Sequence, residues 1–571
     1  MKINSISNTY YSKGVAFKNK NHVSARHLNN IGGDSVSFGS SKTNFVEKPI
    51  NVDIETAKTV AKSLSNSTSG HRAPYMSKTF TPEIVRLITL GAAAYAKDNA
   101  MTKNRVQDGA FIIIGGDTRK ATREFLPLIR DTLIRQGVRV LDIKEPVPTP
   151  LIAQAAKDCN IDLAVLMTAS HNPWSDGGYN FITSNGAVAS AGVTQKIAKS
   201  MTDFAQKGFY TEQKNPEGIT FDFNPYSSYL DALQDLELID FDKIKKSGVE
   251  IFYDGLNGTG EYVMPRLFDE FGIPYTEVKS SGQEGPNPTD ENLALLKETV
   301  SKSDKKLKIG LANDGDADRF GIIDENGTFV SPNDVLLLVG YHLAKNKSKK
   351  GDIIRSQATS MQLDKLASML RTGVNVTPVG FKYIAEDIMQ KRIHGRDILI
   401  AGEESGGLTV NGHIPEKDGI IADALIADLV ATEGRPISEI LKSLKKQLGI
   451  YSFVNNFSER FENDKKKNQA MDRVCDFWLD KTNASEENSD FDPWHKIDKE
   501  ATIIADSNIR SYRPGGDGYK FIMTDGSTVL IRKSGTEPLI RCYIEATGKN
   551  TQRAYDNSEI LKSKIDELLD V

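Results

Sequence analysis

At 571 residues the chain is long enough for about four domains with proper cores. Its 72 Lys+Arg against 76 Asp+Glu leave a net charge of -4, so no global basic field draws nucleic acid or an anionic membrane, and a substrate must be recognised locally. Three cysteines, Cys159, Cys475 and Cys542, are odd in number and lack metal-type spacing, which excludes a disulfide framework and points to a reducing, cytoplasmic setting.

Residues 1–50 are rich in Ser, Asn and Lys, and before Phe45 their only acid is Asp34, with no apolar periodicity; they read as a disordered leader. With one arginine, Arg26, and no hydrophobic stretch, a transit or secretion signal is the weaker reading. Thr81-Pro82 predicts a helix start in cap-then-proline order, with Ile84, Leu87 and Ile88 on one face. A strand over Phe111 to Ile114 runs into Gly115-Gly116-Asp117-Thr118-Arg119. The same order, an apolar strand, a glycine with an acid, then a helix, is expected after Val249 to Tyr253, Leu307 to Ala312 and Ile398 to Ala401. These predict repeated α/β units, with seams near 222, 329 and 448.

Four loops in this frame carry chemistry. The apolar run Leu163 to Met167 ends at Thr168-Ala169-Ser170-His171-Asn172-Pro173, where Asn-Pro cannot continue a strand, so Ser170 sits on a sharp turn. Its hydroxyl fits a hydrolase nucleophile, a phosphate carrier or a turn residue. Asp314, Asp316 and Asp318 then place three carboxylates within five residues, and a hard divalent cation, Mg²⁺, is the usual remedy for their repulsion. A calcium EF-hand also matches at Asp314, Asp316, Asp318 and Glu325. It fails at its sixth position, where Arg319 replaces the turn glycine, and a solvated acidic turn stays open. Gly402-Glu403-Glu404-Ser405-Gly406-Gly407 offers carboxylates and a hydroxyl suited to sugar hydroxyls, or an exposed turn.

The most apolar helix candidate, Ile420 to Ala431, carries Asp423 and Asp428, so no membrane span is expected. Strands over Tyr519 to Met523, Val529 to Ile531 and around Ile540, Cys542 and Ile544, then a helix from Asn557 to Leu569, predict a smaller α+β unit that closes over something. Within it, Arg532-Lys533-Ser534-Gly535-Thr536-Glu537-Pro538, with Arg541 beyond, gathers cationic, hydroxyl and backbone donors suited to a phosphate.

Taken together and in this order, the four loops resemble the α-D-phosphohexomutase superfamily from Thr68 to about Glu545. The resemblance implies a heart-shaped α/β architecture of three related domains with mixed sheets and a smaller C-terminal α+β domain. After the leader, domain I would span 51–222 with the phosphoserine loop, domain II 223–329 with the metal loop, domain III 330–448 with the sugar loop and domain IV 449–571 with the phosphate loop. It further implies that Ser170 carries a phosphoryl group and, with Asp314, Asp316 and Asp318, holds Mg²⁺. Glu403 and Ser405 would bind sugar hydroxyls, and Arg532, Ser534, Gly535, Thr536 and Arg541 the non-reacting phosphate. Arg72, Asp318, Arg319, Val379, Gly380 and Lys417 would complete the substrate site.

Thr68-Ser69-Gly70-His71-Arg72, Arg355-Ser356-Gln357-Ala358-Thr359-Ser360, Thr377-Pro378-Val379-Gly380-Phe381-Lys382 and Glu416-Lys417-Asp418-Gly419 look like the glucose-phosphate branch. That branch implies exchange of glucose 1-phosphate and glucose 6-phosphate through glucose 1,6-bisphosphate, also the activator, in a monomer or dimer. Mannose and glucosamine phosphates are the alternatives. Two departures stand out: Asn180 where many relatives have lysine, and Ala73 where glycine is usual. The first leaves the general base to His171 or Lys382, beside Ser170, Arg319 and Arg72 as the other catalytic residues. A serine hydrolase and a non-catalytic sugar-phosphate sensor are the readings from other classes.

Overall fold

Unbroken apolar runs make strands covered on both faces, and three mixed sheets are built on such runs. The computed structural model describes residues 45–66, 70–103, 109–214, 216, 219–280, 285–483, 494–498, 501–505, 518–523, 525–534 and 538–570. Residues 1–44 of the expected leader, Thr68 and Ser69, and Gly535 and Thr536 lie outside them.

The first unit contributes β1 (Phe45–Pro49), β2 (His71–Pro74), β3 (Phe111–Gly116), β4 (Arg139–Asp142), β5 (Leu163–Met167), β6 (Asp176–Ile182), β7 (Phe209–Gln213) and β8 (Thr220–Asp222). Its main sheet runs β2-β6-β5-β3-β4-β8, parallel from β5 through β8 and antiparallel where β6 meets β5 and β2. β1 pairs antiparallel with β7, so the expected leader ends at least six residues early: Phe45 to Ile50 are held to the fold by backbone bonds that composition does not reveal.

The second unit has β9 (Glu250–Asp254), β10 (Tyr275–Glu277), β11 (Lys308–Asn313), β12 (Phe320–Ile323) and β13 (Phe329–Val330), in the order β10-β9-β11-β12-β13. β13 keeps Val330 in this sheet, one residue past the expected seam. The third has β14 (Asp352–Ser356), β15 (Val374–Thr377), β16 (Ile398–Glu403) and β17 (Gly407–Val410), in the order β15-β14-β16-β17. Parallel strands followed by one antiparallel return occur in all three. The loops β5–β6, β11–β12 and β16–β17 therefore occupy equivalent positions.

This corrects one sequence expectation. After β3 and β9 the chain does enter helical turns, but after β11 and β16 it doubles back as an antiparallel strand. Connections this short cannot carry a parallel crossover, which needs a dozen or more residues.

The last unit is antiparallel throughout: β18 (Ser452–Arg460), β19 (Trp494–Asp498), β20 (Ala501–Ala505), β21 (Gly518–Met523), β22 (Thr528–Lys533) and β23 (Leu539–Thr547), ordered β18-β23-β22-β21-β20-β19. Its final helix, Thr551–Leu569, starts six residues before the expected Asn557 because Asn550 caps it, accepting from the Arg553 amide at 2.8 Å. The predicted start at Thr81-Pro82 is present: Thr81 accepts from the Ile84 amide and Pro82 opens the helix Pro82–Thr102.

One apolar core runs from Phe111 to Ile450 through the first three units, whereas the last has its own, around Phe521, Ile531, Ile540 and Ile544. The helix Gly419–Glu433 is buried from Gly419 to Val430, and its Asp428 is paired with His342 Nε2 at 2.9 Å and with Lys347. Among the described residues no helix is long and apolar enough to cross a membrane.

Candidate active site

The turn after β5 is held by a buried arginine. Ser170 has φ of +52°, a left-handed conformation that costs a non-glycine residue about 1–2 kcal/mol. Arg119, 2% exposed, donates to the Ser170 and Asn172 carbonyls at 2.6 Å each and to that of Pro173, while its Nε pairs with Asp117 at 3.0 Å. Asp117 also accepts from the Thr168 hydroxyl at 2.7 Å, and Thr168 Oγ1 accepts from the Ser170 amide at 2.8 Å. Beneath the turn the backbone passes so close that a Cβ on Gly178 would meet the Thr168 carbonyl at 1.9 Å. Replacing Arg119 with methionine should destabilise the protein by about 3–5 kcal/mol, because Asp117 is left charged and unpaired and the carbonyls lose their donors. Urea titration of the Arg119→Met protein measures this.

So held, the Ser170 hydroxyl donates to Asp314 Oδ2 of the second unit at 2.6 Å and lies 3.3 Å from His171 Nδ1. Asp314, Asp316 and Asp318 are buried and can each present an oxygen within 4.8 Å of the others. Asp314 Oδ1 accepts from the Asp318 and Arg319 amides at 3.1 Å, and Asp316 Oδ2 from the Thr149 hydroxyl at 2.7 Å. Asp316 Oδ1 and Asp318 Oδ1 are buried without a hydrogen-bond partner among the described residues. Burial, then Asp316 and Asp318, pushes the Asp314 carboxyl well above the usual carboxylate range, and burial with Asp318 raises Asp316. Orphaned oxygens on crowded carboxylates fit a hard divalent cation with oxygen ligands. Burial, then Arg319 and Arg72, holds His171 well below the usual imidazole range, leaving it neutral.

From the third unit, Glu403 accepts from the Gly380 amide at 2.7 Å, and Glu404 is held by Ser356 at 2.8 Å and Thr359 at 3.3 Å. Lys417 crosses to the carboxylate triad and donates to Asp318, with Glu416 at 3.4 Å. A Cβ on Gly407 would meet Lys417 Cδ at 2.3 Å, so only glycine lets this lysine through. Burial opposes the Lys417 charge, but Asp318, Glu416 and Asp316 outweigh it and raise the ammonium above its usual range.

Burial, then Glu404, pushes the Glu403 carboxyl up to about 7. A carboxyl raised on folding stabilises fully below its unfolded value near 4.5, and that stability is lost as pH climbs through about 7. Ionised Glu403 thus costs the unliganded protein about 3 kcal/mol by pH 8. Glu403→Gln, which keeps an acceptor for Gly380, should raise the melting temperature at pH 8 and change it little at pH 5, as paired thermal scans would show.

The fourth loop places Arg532 on β22 directly opposite Arg541 on β23. Like charges facing across a strand pair destabilise it unless an anion lies between them, and Arg532 Nε is buried without a hydrogen-bond partner among the described residues.

Loops of all four units line one cleft of about 1960 Å³. Arg72, Ser170, His171, Asp316, Asp318, Arg319, Val379, Gly380, Glu403, Ser405, Lys417, Arg532, Ser534 and Arg541 all reach its wall, and Asp314 lies behind it on Ser170. Lys382 does not: it is 4% exposed on the first turn of the helix Phe381–Ile393, its Nζ 5.1 Å from the Tyr383 ring centre, because the helix turns that position inward. Asn180 donates to the Thr168 carbonyl at 2.7 Å and so braces the serine turn. Sequence reasoning missed Asp117, Arg119, Thr149 and Tyr543. Buried charge directly after an apolar strand was the available signal for the first two; nothing marked Thr149 or Tyr543.

Residues 64–207, 227–327, 331–448 and 486–560 match, in that order, the alpha/beta/alpha domains I, II and III and the C-terminal domain of phosphoglucomutase/phosphomannomutase. With three mixed α/β units and a smaller fourth around a common cleft, these matches make the chain an intramolecular phosphotransferase, an isomerase of hexose phosphates. The chain belongs to the α-D-phosphohexomutase superfamily. It is 28% identical to a phosphoglucomutase/phosphomannomutase of Thermococcus kodakarensis, over 80% of this chain and 90% of the relative. It is 25% identical to a phosphoglucosamine mutase of Carboxydothermus hydrogenoformans, over 83% and 94%. In fold it is similar to the open form of the Paramecium phosphoprotein pp63/parafusin, a phosphoglucomutase, with a TM-score of 0.70 at 20% identity over 92% of this chain and 96% of that one.

Proposed function

We propose that the protein is a phosphoglucomutase, exchanging α-D-glucose 1-phosphate and glucose 6-phosphate through phospho-Ser170 and a glucose 1,6-bisphosphate that also primes the serine. The observation that carries this reading is the 2.6 Å hydrogen bond from Ser170 to Asp314, which joins the serine turn of one unit to the carboxylate triad of another at the cleft wall. Magnesium held by Ser170, Asp314, Asp316 and Asp318 would supply electrophilic charge at the transferring phosphoryl.

Phosphoserine carries about -1.5 to -2 charge. Two dianions about 5 Å apart repel by about 13 kcal/mol at an effective dielectric of about 20. Arg319 and Arg72 face that group from the cleft wall, and Arg532 and Arg541 neutralise the far end of the substrate. His171, neutral and 3.3 Å from Oγ, accepts the proton when the serine is rephosphorylated. Glu403 and Ser405 orient the ring hydroxyls, and Gly535 and Thr536, outside the described residues, would help bind the distal phosphate. After the first transfer the bisphosphate turns end over end, for which the cleft volume leaves room.

Glucose is favoured by the segments that resemble the glucose-phosphate branch, of which Thr377 to Phe381, Glu416 and Lys417 reach the cleft wall. The buried thiols Cys159 and Cys542 suit a reducing cytoplasm. Coupled assays on glucose, mannose and glucosamine 1-phosphates, primed with the bisphosphate, test the assignment. Glucose 1-phosphate should lead in kcat/KM by about tenfold or more; faster turnover of mannose 1-phosphate refutes it.

A further inference from the structure

The last unit is attached differently from the others. The first three share one apolar core, but the C-terminal sheet and its helices have a separate one, so the seam between them is not closed by a common hydrophobic interior. Hydrogen bonds cross that seam instead. Glu545 of β23, only 8% exposed, accepts from the Ser360 hydroxyl and from the Met361 amide at 2.8 Å, and Lys520 of β21 donates to the Gln357 carbonyl at 2.8 Å.

Ser360 and Met361 open the helix Gln362–Leu370, and Ser360 Oγ also accepts from the Gln362 amide at 3.1 Å. The first amides of a helix lack intrahelical partners and attract negative charge. The cap of a third-unit helix is thus supplied by a carboxylate of the fourth unit. The capped segment is also tied to the sugar loop, because Ser356 and Thr359, just before it, hold Glu404.

The position of Glu545 on its strand gives the cap leverage. Alternate residues Ile540, Cys542, Ile544 and Ala546 fill the C-terminal core, which puts Arg541, Tyr543 and Glu545 on the opposite face. Arg541 lies opposite Arg532, and Glu545 opposite Thr528, at the other end of the same strand pair. Tyr543, between them, lines the cleft beside Arg541 and Glu404. One rigid face therefore carries the distal cations at one end and the clamp at the other, about 13 Å away.

We propose that Glu545 is a positioning residue: by capping the helix Gln362–Leu370 from across the seam, it holds Arg532 and Arg541 at the separation from Glu403 and Ser405 that a bound hexose phosphate spans. This rests on the reading of the cleft as a hexose-phosphate site. Loss of the clamp lets the phosphate-binding face swing away from the sugar loop, which weakens binding at the distal end. Ser170 and the carboxylate triad, in units that share a core, stay where they are.

The test compares the full-length chain with Glu545→Ala, Glu545→Gln and, from the other side of the seam, Ser360→Ala. Glu545→Ala should raise KM for glucose 1-phosphate about tenfold, the loss expected for a charged two-donor contact, with kcat changed less than about threefold. Glu545→Gln, which keeps an acceptor for Met361, should fall between it and the parent, and Ser360→Ala should shift KM in the same direction by less. Hydrogen exchange at the Met361 amide, which needs no turnover, should be about tenfold faster in Glu545→Ala. Unchanged KM together with parent-like exchange at Met361 would overturn the proposal, as would a fall in kcat at constant KM. Absence of hexose-phosphate turnover in the parent would sink the mutase reading instead, and exchange at Met361 would then decide the clamp.

Discussion

Ser170→Ala should lose about 10⁴-fold or more in kcat on glucose 1-phosphate, the scale on which removing a covalent nucleophile acts. Ser170 is 1% exposed, its hydroxyl aimed at Asp314 and flanked by His171, and alanine offers no atom to carry phosphorus. The fold should tolerate the change, since the turn is held through backbone carbonyls by Arg119 rather than through the serine side chain. Far-UV circular dichroism and the urea midpoint should therefore match the parent within about 1 kcal/mol. Incubation with glucose 1,6-bisphosphate should add one phosphate to the parent on the peptide containing Ser170 and none to the variant. Phosphate mapped to a different residue, or an alanine variant with more than about a tenth of parental activity, contradicts the assignment.

Metal removal is the second large effect. Chelation should abolish turnover reversibly, and Asp316→Asn should reduce it by about 10²–10³-fold by removing one charge from the triad while keeping an acceptor for Thr149. A readout independent of activity is available. Asp314 and Asp316 have carboxyls raised on folding, so the metal-free protein loses stability as pH rises from their unfolded range, and a cation that needs them ionised binds more strongly over the same rise. The melting temperature should thus climb on adding Mg²⁺ by more at pH 8 than at pH 6, and by little at either pH in Asp316→Asn. An Mg²⁺ effect that survives the substitution, or shrinks with pH, would place the cation elsewhere.

Much of this site was readable in linear form because its parts are local. Each of the four loops is a short run at the end of an apolar strand, and runs such as Asp314 to Arg319 carry their chemistry within a few residues. The EF-hand alternative already fails in the sequence at Arg319, and the antiparallel pairing of β11 and β12 agrees, because that motif needs helices on both sides. What one-dimensional pattern could not supply was long-range pairing. Arg119 meets Ser170 from 51 positions away, and Thr149 meets Asp316 from 167 positions away. That Lys382 is buried while its neighbours Phe381 and Tyr383 reach the cleft wall was unreadable for the same reason, since the direction a helical side chain takes depends on what the helix packs against.

By itself the chain of amino acids determined the α/β units, the residues of the four loops and their order, since each rests on strand-length apolar runs and on residue types at fixed spacing. Tertiary structure alone decided that the three loops of the first units are topological equivalents, that a buried arginine props the serine turn, and that a separate core joined by a carboxylate cap carries the facing pair Arg532 and Arg541. The physical reason is that periodicity and turn chemistry act within a few residues. Burial, charge pairing and close packing depend on neighbours that only folding brings together.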